Sequence, residues 1–101
     1  MDRWQNLRDL LKSILGSNNV YFQPPPTIKI EYPCIIFERD ADQATRADDK
    51  RYTSMYRYSI LYIRRTHDTA VPEAILDLPL CSYDRFYTAD GLNHDAFSIY
   101  Y

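Results

Sequence analysis

The alternation that runs from Tyr52 to Arg65 constrains the fold more than any other feature of the sequence. Large apolar side chains occupy its even positions: Tyr52, Tyr56, Tyr58, Ile60 and Tyr62. Its odd positions become apolar towards the end, at Leu61 and Ile63. Successive side chains of a strand point to opposite faces of a sheet. The pattern therefore predicts a long strand with one aromatic face, covered on both faces at its C-terminal end.

A second periodic segment opens the chain. Its apolar residues recur at steps of three and four: Trp4, Leu7, Leu10, Leu11, Ile14 and Leu15. This spacing predicts an amphipathic helix of about four turns, with its apolar side against a core. Asp2 stands where a residue caps the first turn, and Gly16 where a left-handed residue ends the helix.

The remaining segments predict shorter elements. These are strands at Val20–Gln23 and Tyr32–Phe37 on either side of a proline-rich connection, a helix at Pro72–Leu78, and a hairpin of Cys81–Thr88 with His94–Tyr101. Ile28–Glu31, between the first two strands, also alternates. The order predicts an α+β fold in which the first helix packs on one face of a mainly antiparallel sheet. No repeat or domain boundary is visible, so residues 1–101 are interpreted as one domain.

Size and charge exclude several classes of function. A chain of 101 residues has room for one small core, and an elaborate reaction cleft would compete with that core for residues. A net charge of −2 provides no field for attracting nucleic acid or anionic lipid. No apolar run approaches the roughly 20 residues that span a bilayer. The N-terminus lacks the basic and apolar regions of a secretion signal, so synthesis and use in the cytoplasm are expected.

Residues able to carry chemistry are few and scattered. Cys34, Cys81, His67 and His94 do not form the close local pairs typical of structural zinc sites, so both cysteines are predicted to be buried, reduced thiols. His67-Asp68 and His94-Asp95 are interpreted as solvated turns. Nucleophilic catalysis needs close backbone approach to a substrate, and the chain has only two glycines. We therefore expect no enzymatic activity and no cofactor or metal.

The segment from Glu38 to Arg51 is too polar for a core and lacks the excess of one charge that binds a polyanion. It holds five acids (Glu38, Asp40, Asp42, Asp48 and Asp49) and four bases (Arg39, Arg46, Lys50 and Arg51). The acids depart from the spacing of a calcium-binding EF-hand loop, although a small metal-dependent hydrolase built around them stays open. A hairpin needs roughly two to five connecting residues, and Glu38–Arg51 is much longer than that. The segment is either a solvated loop or an arm that contacts another protein.

The tyrosines suggest contact with a partner. The chain has ten, and tyrosine combines a large apolar area with a polar tip, which enriches it at protein interfaces. Phe97, Ile99, Tyr100 and Tyr101, at the end of the hairpin, are further candidates for apolar contact. As an alternative, Tyr56, Tyr58 and Tyr62 form a stacking surface for single-stranded nucleic acid, but such surfaces usually pair with a cationic groove.

Several segments together resemble a known family. They are the opening helix, VYFQPPPTIKIEYPCIIFERD (Val20–Asp40), the charged connection, RYSILYIRR (Arg57–Arg65), and LPLCSYDRFYTADGLNHDAFSIYY (Leu78–Tyr101). In this order they resemble the tail-terminator or tail-completion proteins of long-tailed bacteriophages. The resemblance implies a small α+β protein that forms a ring, commonly a hexamer, at the head-proximal end of the tail tube. Such a ring halts polymerisation of the tube and presents a surface to the head connector.

The resemblance also implies partners and a location. The expected partners are further copies of the chain, the tail-tube protein, and a head connector or head-completion protein, without membrane or sequence-specific nucleic acid. The expected location is the tail or neck of the virion, after assembly in the host cytoplasm. The predicted interface residues are Arg39, Asp40, Asp42, Arg46, Asp48, Asp49, Lys50, Arg51, Tyr52, Tyr56, Tyr58, Tyr62, Tyr100 and Tyr101.

Overall fold

A computed structural model describes residues 2–40 and 56–101. The elements are α1 (Arg3–Leu15), β1 (Val20–Phe22), β2 (Cys34–Arg39), β3 (Arg57–Arg64), α2 (Ala70–Leu76), β4 (Cys81–Ala89) and β5 (Leu92–Tyr100). The strands form a sheet in the order β1-β2-β3-β5-β4. β1 runs parallel to β2, and the other neighbouring pairs are antiparallel. The predicted α+β fold, with a helix on a mainly antiparallel sheet, is confirmed.

The first helix forms where its spacing predicted it. Asp2 occupies the N-cap position, and its backbone N–H donates to Oε1 of Gln5 at 2.9 Å. Gly16 ends the helix with φ +78°, and its N–H donates to the carbonyl oxygen of Lys12 at 2.8 Å. A residue with a Cβ is strained at this φ, which explains the glycine.

The main core lies between the helices and one face of the sheet. Its buried members are Leu7, Leu11, Val20, Ile35, Phe37, Tyr58, Ile60, Tyr62, Ile75, Phe97 and Ile99. Trp4 of α1 stacks on Phe22 of β1, with ring centroids 4.6 Å apart. The even positions of β3 therefore face the helices, as the alternation of this strand requires.

A smaller cluster covers the opposite face of the sheet at one end. Cys34, Ile63 and Leu92 are buried there, and Ile30 is among the half-buried residues that pack against them. Ile30 comes from the connection between β1 and β2, so an irregular segment fills the place that a second helix layer would take. This confirms the prediction that both faces are covered at the C-terminal end of β3. The alternating residues Ile28–Glu31 form no strand.

The second helix differs from its prediction. It was expected to begin at Pro72, but it begins at Ala70, with Thr69 at the N-cap position, and ends at Leu76. Pro72 is therefore the third helical residue. The first four N–H groups of a helix have no acceptor within it, so a proline at this position removes no helical hydrogen bond.

The predicted C-terminal hairpin is confirmed, with a tighter turn than the sequence indicated. Asp90 and Gly91 connect β4 to β5 with φ of +56° and +74°. Positive φ at both central residues is the type I′ turn, which matches the twist of the flanking strands and favours Asp-Gly. An irregularity between Tyr83 and Arg85 shifts the register of the pair.

The two cysteines lie on opposite faces of the sheet as free thiols. Cys34 is buried in the smaller cluster, and Cys81 is half-buried against the main core. Burial raises the pKa of each thiol to about 11. Both therefore stay protonated at neutral pH, which makes them poor nucleophiles.

Candidate interaction surfaces

The charged segment connects two neighbouring strands at one end of the sheet. β2 ends at Arg39 and its antiparallel neighbour β3 begins at Arg57, so residues 40–56 connect two adjacent strands. The N–H of Asp40 donates to the carbonyl oxygen of Arg57 at 2.8 Å, so the pairing of the two strands continues to this point. Strands aligned in this way can be joined by roughly two residues.

Five of the predicted interface residues converge on this region, which we call the sheet end. They are Arg39, Asp40, Tyr56, Tyr100 and Tyr101. The register aligns them across three strands, because Arg39 pairs with Tyr58 and Arg57 pairs with Tyr100. Two backbone hydrogen bonds, of 2.9 and 3.1 Å, join Tyr101 to Tyr56. The sheet therefore assembles these residues from segments far apart in the sequence.

Polar contacts hold the side chains of the sheet end. The guanidinium of Arg39 lies 3.6 Å from the centre of the Tyr56 ring. Asp40 lies within 3.5 Å of Nε of Arg57, and its carboxylate accepts a hydrogen bond from Ser59 at 3.4 Å. An open cavity of about 560 Å³ runs beside Arg39 and Asp40. Arg39 and Tyr100 stay exposed, so a partner can reach both.

The other predicted residues of the charged segment lie outside the described residues. They are Asp42, Arg46, Asp48, Asp49, Lys50, Arg51 and Tyr52. Their prediction as interface residues stays a prediction.

The structure places Tyr58 and Tyr62 in the core instead of on the surface. Both are 2% exposed, and Phe97 and Ile99 are buried beside them. The ring of Tyr58 packs against that of Phe37, with centroids 6.2 Å apart. The apolar area of these residues is already covered within one chain, so their prediction as surface contacts was wrong. The alternative stacking surface for nucleic acid also loses two of its three tyrosines, since a buried ring offers no face to a base.

A buried ion pair between β3 and β5 was not predicted. Arg64 and Asp95 are 5% and 4% exposed, and Nη1 of the arginine donates to Oδ2 of the aspartate. Nη2 of Arg64 donates to the backbone oxygen of Asp68 at 3.0 Å, and its Nε lies 3.4 Å from Oδ1 of Asp68. The hydroxyl of Tyr83 donates to the other oxygen of Asp95. The pair is therefore held by hydrogen bonds on several sides, as a buried charge requires.

The sequence did contain a signal for this pair. Asp95 and Arg64 occupy helix-facing positions in strands whose other helix-facing residues are mainly apolar, such as Phe97 and Ile60. A charge at such a position needs a partner of opposite sign, because burying an unpaired charge is unfavourable. The interpretation of His94-Asp95 as a solvated turn was wrong. Both residues are buried within β5.

The tyrosines beside the ion pair have raised pKa values. Burial, followed by the charge and hydrogen bond of Asp68, raises the pKa of Tyr62 to about 12. Burial and the hydrogen bond to Asp95 likewise raise the pKa of Tyr83 to about 12. Burial acts to raise the pKa of Asp68, but hydrogen bonds from Thr66 and Tyr62 and the charge of Arg64 outweigh it, so the pKa is lowered. Tyr62 and Tyr83 therefore stay protonated at neutral pH and donate hydrogen bonds.

An open cavity of about 460 Å³ lies over the ion pair, between α2 and β4. Arg64, Asp68, Glu73, Tyr83 and Asp95 contribute its polar lining. Within residues 2–40 and 56–101, no three His, Cys, Asp or Glu side chains are arranged as metal ligands. Neither α1 nor α2 has the length and hydropathy of a membrane-spanning helix.

Comparison with protein-family models and with curated protein sequences finds no match for this chain.

Proposed function

We propose that this protein is a non-enzymatic structural protein of a long-tailed phage virion. Copies of the chain form a ring, as a hexamer, which caps the head-proximal end of the tail tube and joins it to the head connector. The proposal combines the sequence resemblance with one structural observation. A long segment with charges of both signs connects β2 to β3, although a short turn could join these adjacent strands. The connection lies at the end of the sheet that carries Arg39, Tyr56 and Tyr100.

This placement supports contact with another protein. The pairing of β2 with β3 extends to the hydrogen bond between Asp40 and Arg57, which a turn of roughly two residues can close, so the sheet does not require the length of the segment. Interspersed charges of both signs suit a partner whose surface is equally mixed. Arg39 and Tyr100 are exposed at the sheet end, where the segment begins. Arginine and tyrosine are both enriched at protein interfaces. The segment and the sheet end therefore serve as one contact region for the tail tube.

Sedimentation velocity over a range of concentrations tests the ring. The purified chain should form a closed oligomer, either alone or on addition of the tail-tube protein of the same phage. A ring of identical subunits uses two different patches on each copy, so assembly should stop at a fixed size. A chain that stays monomeric at every concentration, with and without tail-tube protein, would refute the proposal.

A shortened variant tests whether the charged segment is needed for binding but not for folding. Replacing residues 41–56 by Asn-Gly should leave a folded protein, because Asp40 and Arg57 form a backbone-hydrogen-bonded pair, and such a pair can close a two-residue turn. We expect this variant to lose binding to tail-tube protein in a pull-down assay. The matched control replaces Asp90-Gly91 by Asn-Gly, which puts the same two residues into the other hairpin and should leave binding unchanged. Equal binding by the shortened variant would exclude the segment as a contact.

A further inference from the structure

The exposed apolar side chains of the described residues fall mainly into two groups, at opposite sides of the sheet. On the β4 side, four large side chains are between 42% and 56% exposed: Leu76, Leu80, Tyr83 and Phe86. On the β1 side, Ile28 and Tyr32 are 41% and 38% exposed. The seventh exposed large side chain, Tyr100, belongs to the sheet end.

Three of these four residues, together with Glu73, define the β4 patch. Leu76, Tyr83, Phe86 and Glu73 line the same cavity of about 460 Å³, whereas Leu80 lines a separate cavity with Tyr100. β4 is an edge strand of the described sheet. Its exposed charges are acidic: Glu73 is joined by Asp77 at the end of α2, while Arg64 is buried in its ion pair.

The second group defines the β1 patch, which consists of Ile28, Tyr32, Lys29 and Arg65. Ile28, Lys29 and Tyr32 belong to the connection between β1 and β2. The guanidinium of Arg65 lies 5.8 Å from the centre of the Tyr32 ring, which brings this exposed cation into the patch. Lys29 and Arg65 outnumber Glu31 here, so the β1 patch carries the opposite charge to the β4 patch.

The geometry points to a second copy of this chain as the occupant of the β4 patch, docked through its own β1 patch. The apolar side chains of the β4 patch pack against those of the β1 patch of the second copy. Glu73 of one copy forms an ion pair with Lys29 or Arg65 of the other. The two patches are formed by different residues, so each copy can use one patch for each of two neighbours. The contact is head-to-tail, and repeating it around an axis closes a ring. The inference rests on the proposed ring and names the surfaces that form it.

A mixing experiment tests this arrangement directly. Phe86→Asp disrupts the β4 patch and Ile28→Asp the β1 patch, and neither side chain belongs to a buried cluster, so circular dichroism should show an intact fold. Each variant alone should self-associate at least about tenfold more weakly than the wild type. An equimolar mixture retains one intact pair of patches per two chains. Sedimentation should therefore detect a dimer in the mixture and no larger species.

A charge exchange and a control complete the test. Glu73→Lys should weaken self-association, and adding Lys29→Glu in the same chain should restore at least part of it. Ser13→Asp adds the same charge at an exposed position of α1, outside both patches and outside the sheet end, so it should leave self-association unchanged.

The outcomes distinguish this inference from the proposed ring. If the wild type assembles and Phe86→Asp assembles equally well, the contact is wrong although the ring stands. The contact is also wrong if Phe86→Asp forms normal rings but loses binding to tail-tube protein, since the β4 patch then serves that partner. Loss of assembly by Ser13→Asp, or no dimer in the mixture, would likewise overturn it. A wild type that never assembles refutes both the ring and the contact.

Discussion

The buried pair of Arg64 and Asp95 leads to the sharpest prediction about stability. Asp95→Asn keeps the shape of the side chain but removes its charge, which leaves the guanidinium of Arg64 buried without its main partner. Breaking a buried pair by removing one member typically destabilises by about 3–5 kcal/mol. Asp68 still offers Arg64 a backbone oxygen at 3.0 Å and a carboxylate oxygen at 3.4 Å. We therefore expect the lower end of that range, about 3 kcal/mol.

Urea denaturation provides the assay, with the free energy of unfolding obtained by linear extrapolation. Asp9→Asn is the matched control, because Asp9 forms an ion pair with Arg8 in which the two side chains are 53% and 30% exposed. Exposed pairs contribute about 0–1 kcal/mol, so this change should be nearly neutral.

A double variant identifies the cause of the loss. Arg64→Met combined with Asp95→Leu removes both charges, so no unpaired charge remains buried. The hydroxyl of Tyr83 loses its acceptor but lies on an exposed residue, where water can replace it. Stability should return to within about 1–2 kcal/mol of the wild type. A loss below about 1 kcal/mol for Asp95→Asn, or no recovery in the double variant, would refute the reasoning.

Three further predictions concern pH, packing and the turn. Tyr62 and Tyr83 should stay protonated at pH 10.5, as measured by phenolate absorbance. Since their pKa values rise to about 12 on folding, stability should be lost as pH rises from about 10 through 12. Leu11→Ala should lower the unfolding free energy by about 2–5 kcal/mol, and half-buried Leu10→Ala by less, in urea titrations. Gly91→Ala should lower the melting temperature through strain at φ +74°, worth about 1 kcal/mol, although its Cβ meets no atom within 4 Å.

Local periodicity predicted the elements of this fold well. The three- and four-residue spacing of Leu7 and Leu11 identified α1, and Gly16 marked its end, because helix formation depends on neighbours within a turn or two. The alternation around Ile60 identified β3 for the same reason. The start of α2 was misplaced because proline is compatible with several positions of a first turn, and sequence does not distinguish among them.

The candidate interaction surfaces were predicted in part. Arg39 and Tyr100 were chosen for residue type and lie exposed at one end of the sheet. Tyr58 and Tyr62 were chosen for the same reason and lie in the core, because tyrosine suits both a buried face and an interface. Residue type therefore could not separate core from surface. The exposure of Phe86, in the edge strand β4, likewise could not be recognised before the strand order was known.

By itself, the sequence of this protein determined its local conformations: the amphipathic helix, the alternating strands and the turn at Asp90-Gly91. Only the tertiary structure decided the strand order that places β5 between β3 and β4, and with it the pairing of Arg64 with Asp95. The same order left β4 at an edge and put the two exposed apolar patches on opposite sides of the sheet. The physical reason is the distance along the chain over which each kind of interaction acts. Backbone preferences depend on side chains a few residues apart, whereas burial and charge pairing depend on which distant segments share a face of the sheet.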